Sequence, residues 1–197
     1  MNTEPGGGNI GSVNNCMKLG YADPPYVGQS KLYKDHPDYD GEVDHEELLV
    51  RLVNEYDGFV LHTSVPALGH IIDCCRKANL KDNDYRIMAW VKPFAAFKKN
   101  VPVAYAWEPI IVKCLRKPVV NHKCVMRDFI AEPITMKKGL PGAKPPRLVK
   151  WLFEVAGCLH DDELDDMFPG TGIVELTWKN WKGETVLGEP QGTLWNI

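Results

Sequence analysis

The sequence predicts a single-domain α/β protein with a mostly parallel sheet, and three observations support this prediction. Short apolar patterns typical of strands alternate with patterns of helical period along most of the chain. Proline or glycine follows several of these strand patterns, where a parallel sheet connects to its helices. The chain has 197 residues, of which 44% are hydrophobic and 25% charged, which suffices for one soluble domain with a sizeable core.

In the first half of the chain, strand and helix patterns alternate regularly. Residues 17–22 predict a short strand that ends before Asp23. Asp44 is expected to cap a helix whose apolar residues fall on one face at helical spacing. Residues 58–61 predict a buried strand, and Pro66 is expected to begin the second helix.

The middle of the chain departs from this alternation. Residues 85–91 and 104–115 each contain a strand pattern with no helix between them, so they predict an antiparallel pair at one edge of the sheet. Residues 116–143 have no clear period. A connection of that length without regular structure usually has a function, which makes 116–141 a candidate recognition segment.

The last third of the chain contains a helix, a strand, a glycine turn, a second helix and a short strand. They are expected at residues 146–157, 164–168, 170–172, 173–181 and 185–187. Pro145 and Pro146 mark the start of the first of these helices, because proline is tolerated in a first helical turn. The alternation therefore resumes, as a parallel sheet requires.

Composition limits the location and the partners of the protein. The six cysteines form no Cys-x-x-Cys pair, which indicates reduced thiols in the cytoplasm, without disulfides or a metal site. Residues 1–16 lack signal-peptide features and are expected to be a flexible tail before one domain over 17–197. No apolar run is long enough to span a membrane. The net charge of −3 argues weakly against a purely electrostatic nucleic-acid binder, although basic residues concentrate in 92–127 and 137–150.

Several large side chains have an expected place before any chemistry is considered. Trp151, Phe153 and Trp178 lie on apolar helix faces and are expected in the core. Trp107 is expected to pack in the core or at an interface. Glu108 follows it, and because a buried unpaired carboxylate is costly, it is expected to pair with a lysine or to face a site.

Two strand ends carry the residues best suited to chemistry. The first reads Asp23-Pro24-Pro25-Tyr26 and the second reads DDMFPGTG over residues 165–172. In open α/β sheets ligands bind beyond the carboxyl ends of the strands, and glycines there let the backbone approach a ligand. Each motif alone has a simpler explanation, because prolines end strands and Gly-x-Gly often marks a tight turn.

Together the two motifs are much more specific. An early DPPY and a late FxGxG resemble the permuted, beta-type order of S-adenosylmethionine-dependent DNA amino-methyltransferases (N6-adenine or N4-cytosine), in particular small phage-like or orphan DNA methylases. The Lys144-Pro145 element, one helix and one strand before the glycine turn, matches the same family. The resemblance covers roughly residues 17–189. It implies a Rossmann-like methyltransferase fold with circularly permuted motif order and S-adenosylmethionine as cofactor.

The resemblance implies a role for each residue of the DPPY motif. The amine lone pair of adenine is delocalised into the ring, so the amine needs hydrogen-bond acceptors before it can attack a methyl group. The Asp23 carboxylate and the Pro24 carbonyl would be those acceptors, held rigidly by Pro24 and Pro25. Tyr26 would stack on a base extruded from the duplex.

The same resemblance implies residues for the cofactor and for DNA. Those for the cofactor are Asp23, Lys144, Pro145, Asp166, Phe168, Gly170, Gly172 and Glu189. Candidate DNA contacts are aromatic and basic side chains in the loop 27–43 and the segment 116–141: Tyr33, His36, Tyr39, Arg116, Lys117, Lys123 and Arg127. Both stretches also fit an ordinary solvated loop.

The sequence therefore predicts a methyltransferase that acts on the exocyclic amine of a flipped DNA base, with adenine N6 favoured over cytosine N4. Double-stranded DNA is the expected partner, and a homodimer is possible. The expected location is the cytoplasm, or the host cytoplasm if a phage encodes the protein. Two alternatives stay open: methylation of RNA or a nucleotide, and an inactive nucleic-acid-binding protein with the same fold.

Overall fold

The structure, a computed structural model of the chain, describes residues 16–28, 41–94, 101–116, 125–134 and 143–185. Within these ranges it contains strands and helices in an alternating order. The strands are β1 (Lys18–Ala22), β2 (Gly58–His62), β3 (Arg86–Val91), β4 (Trp107–Lys113), β5 (Phe129–Ala131) and β6 (Glu163–Asp166). The helices are α1 (His45–Glu55), α2 (Leu68–Lys77, after a 3-10 turn at Val65–Ala67), α3 (Pro146–Ala156) and α4 (Ile173–Thr185).

The strands form one sheet in the order β5-β3-β4-β2-β1-β6. Neighbouring strands are parallel except at β4, which runs antiparallel to both β3 and β2. The predicted α/β class with a mostly parallel sheet is therefore confirmed. The antiparallel β3–β4 pair lies one strand inside the edge, because β5 pairs with the outer side of β3. β5 falls within residues 116–143 and has three residues, too few to show a strand period in the sequence.

The helix boundaries follow the sequence signals closely. The Asp44 carboxylate accepts hydrogen bonds from two N–H groups of the first turn of α1, at 2.9 and 3.1 Å, so Asp44 caps α1 as predicted. α3 begins at Pro146 and ends before Gly157, also as predicted. α4 continues to Thr185, which is therefore helical where a last strand was expected. The rest of that expected strand, residues 186–187, lies outside the described ranges.

Helices cover both faces of the central part of the sheet and create two apolar cores. The core under α1 and α2 includes Leu49, Leu52, Phe59, Leu61 and Ile71. The core under α3 and α4 includes Tyr21, Val60, Leu152, Phe153 and Trp178. Successive residues of β2 point into opposite cores, as the alternation of side chains along a strand requires. Because both faces of β1 and β2 are covered, a ligand can reach these strands at their ends.

The large aromatic side chains divide between the core and the surface. Trp151, Phe153 and Trp178 are 3%, 0% and 7% exposed, which confirms them as core residues. Trp107 is 38% exposed because β4 begins at the rim of the sheet, so it is not a core residue. None of the helices in the described ranges is long and apolar enough to cross a membrane. The described residues also contain no group of three or more His, Cys, Asp or Glu arranged to hold a metal ion.

Candidate active site

The carboxyl ends of β1 and β6 bring the two sequence motifs together. These strands are parallel neighbours, with Tyr21 opposite Asp166. The Met167 N–H donates a hydrogen bond to the Tyr21 carbonyl at 2.9 Å. This bond extends the β1–β6 pairing to the point where both strands end. Asp23 and Phe168 follow within two residues, so the DPPY motif and the glycine turn begin side by side.

Two further elements add charged side chains to this edge of the sheet. α3 leads into β6, so its N-terminus lies near the carboxyl ends of the parallel strands, and Lys144 lies two residues before the first residue of α3. The Lys144 Nζ lies 2.9 Å from Asp23 Oδ1 and 3.7 Å from Glu108 Oε2. Glu108 reaches this edge because β4 is antiparallel and starts where its neighbours end.

Glu108 joins Tyr26 to two lysines. The Tyr26 hydroxyl donates a hydrogen bond to Glu108 Oε2 at 2.6 Å, and Lys92 donates one to Glu108 Oε1. Burial would raise the pKa of Glu108, but the charge of Lys144 and the bonds from Lys92 and Tyr26 outweigh it and lower the pKa. Glu108 is therefore ionised at neutral pH, and the expectation that it pairs with a lysine is confirmed.

A buried pair of neutral polar side chains lies beneath these charges. The Tyr21 hydroxyl and His62 Nε2 are 2.7 Å apart, and both residues are fully buried. Burial, followed by the charge of Lys144, holds the pKa of His62 well below its ordinary value, so the imidazole is neutral. Burial, followed by the charges of Asp23 and Asp166, holds the pKa of Tyr21 well above its ordinary value. His62 Nδ1 has no hydrogen-bond partner among the described residues.

The turn after β6 leaves one carboxylate oxygen available. Gly170 and Gly172 have φ angles of +44° and +68°, a region that favours glycine, and α4 starts directly after them. Asp166 Oδ1 accepts the Phe168 N–H at 3.3 Å, whereas the buried Oδ2 has no partner in the described part of the chain. Burial raises the pKa of Asp166 to about 6. The hydrogen bond from the Phe168 N–H lowers this pKa, and the negative charge of Asp23 raises it further. A buried oxygen of this kind is suited to accept a hydrogen bond from a ligand.

The structure brings the predicted catalytic residues together with most of the predicted cofactor residues. Pro24 and Pro145 are buried at this edge, and Pro25 and Tyr26 are half-buried. Phe168 is also half-buried and packs against the core under α1 and α2. Glu189, predicted to contact the cofactor, lies outside the described residues.

The predicted DNA residues that the structure describes lie elsewhere. Arg116 lies at the amino ends of the parallel strands, where it donates hydrogen bonds of 2.6 and 2.7 Å to Asp162 and one of 3.1 Å to the Gly157 carbonyl. Arg127 is exposed before the edge strand β5, with its guanidinium 5.7 Å from the Phe129 ring. The other candidates lie outside the described residues: Tyr33, His36, Tyr39, Lys117 and Lys123. Contact of these residues with DNA therefore stays a prediction.

Sequence reasoning assigned no role to three side chains that the fold places at the site. Tyr21 and His62 lie at the ends of β1 and β2, and Lys92 directly follows β3. All three positions are carboxyl ends of predicted strands, which was the available signal. The pairing of one strand end with another is a tertiary property, so the sequence could not show which of these side chains meet.

Comparison with solved structures bears on the fold. The chain resembles the crystal structure of the M1.HpyAVI–SAM complex, with a TM-score of 0.56 and 21% identity over 85% of this chain and 80% of that chain. A second structure of M1.HpyAVI and that of TTHA0409 from Thermus thermophilus align with TM-scores of 0.49 and 0.46, each at 16% identity over 85% of this chain and 77% of theirs. No protein-family model and no curated protein matches the chain. The similarity to the M1.HpyAVI–SAM complex shows that the two proteins share a fold.

Proposed function

We propose that the protein is a DNA methyltransferase that transfers a methyl group from S-adenosylmethionine to the exocyclic amine of a flipped base, with adenine N6 as the favoured target. The observation that carries the proposal is that the DPPY motif and the glycine turn leave neighbouring parallel strands side by side. The first offers acceptors for an amine and the second a place for the methyl donor. Holding both reactants in line is the main task of such an enzyme.

The residues at the turn fit the amino-acid part of S-adenosylmethionine. Asp166 Oδ2 is buried without a partner among the described residues, so it can accept a hydrogen bond from the ammonium group. Lys144 is buried at the same edge, where it contacts Asp23, and its ammonium is suited to the carboxylate. Gly170 and Gly172 present no side chain that would block a close approach. When bound, the cofactor supplies an electrophilic methyl group on its sulfonium.

The residues of the DPPY motif fit the base. Asp23 Oδ1 is bonded to Lys144, which leaves Oδ2 as the oxygen for the amine. The Pro24 carbonyl is a second acceptor, and the consecutive prolines keep both acceptors in place. The Tyr26 hydroxyl is anchored on Glu108, so the ring is held as a stacking surface for a base.

The structural comparison supports the choice of cofactor. The M1.HpyAVI structure that shares this fold was determined as a complex with SAM. The preference for a DNA base, and for adenine over cytosine, depends on the DPPY and FxGxG sequence resemblance.

Asp23→Asn tests the proposed chemistry directly. The amide keeps the size of the side chain but removes the negative charge that polarises the amine. We expect kcat to fall by at least about 100-fold, as for loss of one preorganised group that stabilises a transition state. Binding of S-adenosylhomocysteine, the product of the cofactor, should stay close to wild type. The measurements are labelled-methyl transfer to unmethylated duplex DNA and calorimetry.

Asp165→Asn is the matched control, because Asp165 lies on the neighbouring strand β6 but contacts Tyr56 at 2.7 Å and Lys18 at 3.4 Å and not the acid–lysine side chains of the site. It should keep the wild-type rate. A wild-type rate in Asp23→Asn would exclude the acceptor role. Transfer by the wild type to RNA or free nucleotides but not to DNA would refute the substrate, and no binding of S-adenosylmethionine would refute the enzyme. Sequencing of the methylated DNA identifies the base.

A further inference from the structure

Four largely buried charges link the proposed acceptor carboxylate to the proposed stacking ring. They belong to Asp23, Lys92, Glu108 and Lys144, here called the acid–lysine cluster. Their side chains are between 8% and 22% exposed. Two negative and two positive charges balance, which makes their burial tolerable. Among these four, Glu108 contacts both lysines and also Tyr26.

The backbone that carries Glu108 is held on both sides. Glu108 is the second residue of β4 and lies opposite Trp90 of β3. On the other side, the Thr63 N–H donates a hydrogen bond to the Pro109 carbonyl at 3.2 Å, which ties β4 to the end of β2. A side chain on a strand that is paired on both edges is positioned more accurately than one on a loop.

Glu108 acts on two parts of the proposed site at once. Its Oε2 accepts the Tyr26 hydroxyl at 2.6 Å, which sets the orientation of the ring. The same oxygen lies 3.7 Å from the Lys144 ammonium, which is bonded to Asp23 at 2.9 Å. Lys144 is therefore shared between two carboxylates. Without the charge of Glu108, the attraction of the ammonium to Asp23 would be stronger and would weaken Asp23 as an acceptor for an amine.

We propose that Glu108 is a positioning residue for methyl transfer. It holds the Tyr26 ring against the target base and offsets part of the positive charge of Lys144, so that Asp23 can accept the amine. The inference rests on the proposed function.

Two substitutions separate the two tasks of Glu108. Glu108→Gln keeps an oxygen that accepts the Tyr26 hydroxyl but removes the charge that acts on Lys144. Tyr26→Phe keeps the ring but removes the hydroxyl that Glu108 orients. Glu163→Gln makes the same chemical change as Glu108→Gln at an exposed position at the opposite end of β6 and serves as the control.

The experiment measures kcat and KM for labelled-methyl transfer to unmethylated duplex DNA at saturating S-adenosylmethionine. For Glu108→Gln we expect kcat to fall by about 10- to 100-fold, as for loss of one charge-assisted contact. Calorimetry should show little change in the affinity for S-adenosylhomocysteine. Adding Lys144→Met to Glu108→Gln should restore part of the lost kcat, because the cation that competes for Asp23 is then gone. For Tyr26→Phe we expect mainly a higher KM for DNA.

The outcomes separate this inference from the proposed function. An inactive wild-type protein overturns the proposed function and the inference with it. An active wild type with unchanged kcat in Glu108→Gln overturns the inference alone. So does a double variant whose kcat stays below that of Glu108→Gln after S-adenosylmethionine has been raised until the rate no longer increases, since a merely structural role predicts that further loss. If circular dichroism shows that Glu108→Gln does not fold, Tyr26→Phe is the test of the inference. Wild-type kcat and KM in Tyr26→Phe would then overturn it.

Discussion

At the scale of single residues, Asp166 shows how the fold prepares one side chain for a ligand. Its Oδ2 is buried without a partner among the described residues, and burial raises its pKa to about 6. The ionised carboxylate is thus less stable in the fold than in water. A cation at this position would supply the missing partner and lower the pKa again.

Asp166→Asn should weaken the binding of S-adenosylhomocysteine by about 10-fold or more, because the ammonium loses a charged acceptor. In the wild type, affinity should also fall as pH drops below about 6, where Asp166 is protonated. The variant should show no such loss. Calorimetry between about pH 5 and about pH 8 measures both effects. Equal pH dependence in the two proteins would contradict this assignment.

The same substitution should stabilise the protein without ligand. A carboxyl whose folded pKa is raised contributes stability that is full below its unfolded pKa, near 4, and is lost as pH rises through about 6. Asp166→Asn removes that loss. We expect unfolding to cost about 1 kcal/mol more at neutral pH, a value discounted for partial exposure, and no difference near pH 4. Denaturant unfolding at both pH values tests the sign, and a less stable variant at neutral pH would refute it.

At the scale of elements, the start of β2 lies very close to the end of β4. A Cβ at Gly58 would lie 2.6 Å from the Lys113 carbonyl oxygen and 2.8 Å from the Leu115 nitrogen. Both atoms belong to the backbone, so neither can move as a flexible side chain would. β4 is the one antiparallel strand of the described sheet, and its pairing with β2 places Glu108 at the site.

Gly58→Ala should therefore destabilise the protein by about 1–3 kcal/mol through overpacking between β2 and β4. Gly69→Ala is the matched control, because Gly69 lies in α2 with no atom within 4 Å of its added Cβ. There alanine should stabilise the helix by about 0.5–1 kcal/mol. The denaturant midpoints of the two variants, compared with that of the wild type, measure both changes in stability. Similar effects of the two substitutions would show that the β2–β4 contact can relax.

At the scale of the whole molecule, the site exists only in the folded chain. Asp23, Glu108, Lys144 and Asp166 come from four distant parts of the sequence and meet at one edge of the sheet. A cofactor that uses them binds the native state and not the unfolded chain. Ligand binding and stability are therefore linked.

S-adenosylhomocysteine at about 100 times its Kd should stabilise the protein by about 2.7 kcal/mol and raise Tm by about 5–10 °C. The shift should be smaller for Asp166→Asn at the same ligand concentration and unchanged for Glu163→Gln. A thermal scan over a ligand series gives the result. Adenosine, which lacks the amino-acid part, should give little shift in either the wild type or the Asp166 variant; an equal shift with adenosine would contradict the role of Asp166.

Features that depend on a few neighbouring residues were predictable from the sequence, and features that depend on distant contacts were not. The cap at Asp44 and the start of α3 at Pro146 were predictable, because each depends on a few neighbouring residues. β5 was missed, since three residues carry too little pattern. The ion pair between Arg116 and Asp162 was not predicted, because it joins residues 46 positions apart in the sequence.

The sequence by itself determined the alternation of strands and helices and the two motifs at strand ends. These depend on hydrophobic period, proline and glycine, which act over a few residues. Only the tertiary structure decided that Lys144 meets Asp23 and that Glu108 anchors Tyr26, from which it is separated by 82 positions. The physical reason is that contacts between distant residues depend on strand order and direction, above all on the antiparallel β4, and no local pattern encodes that order.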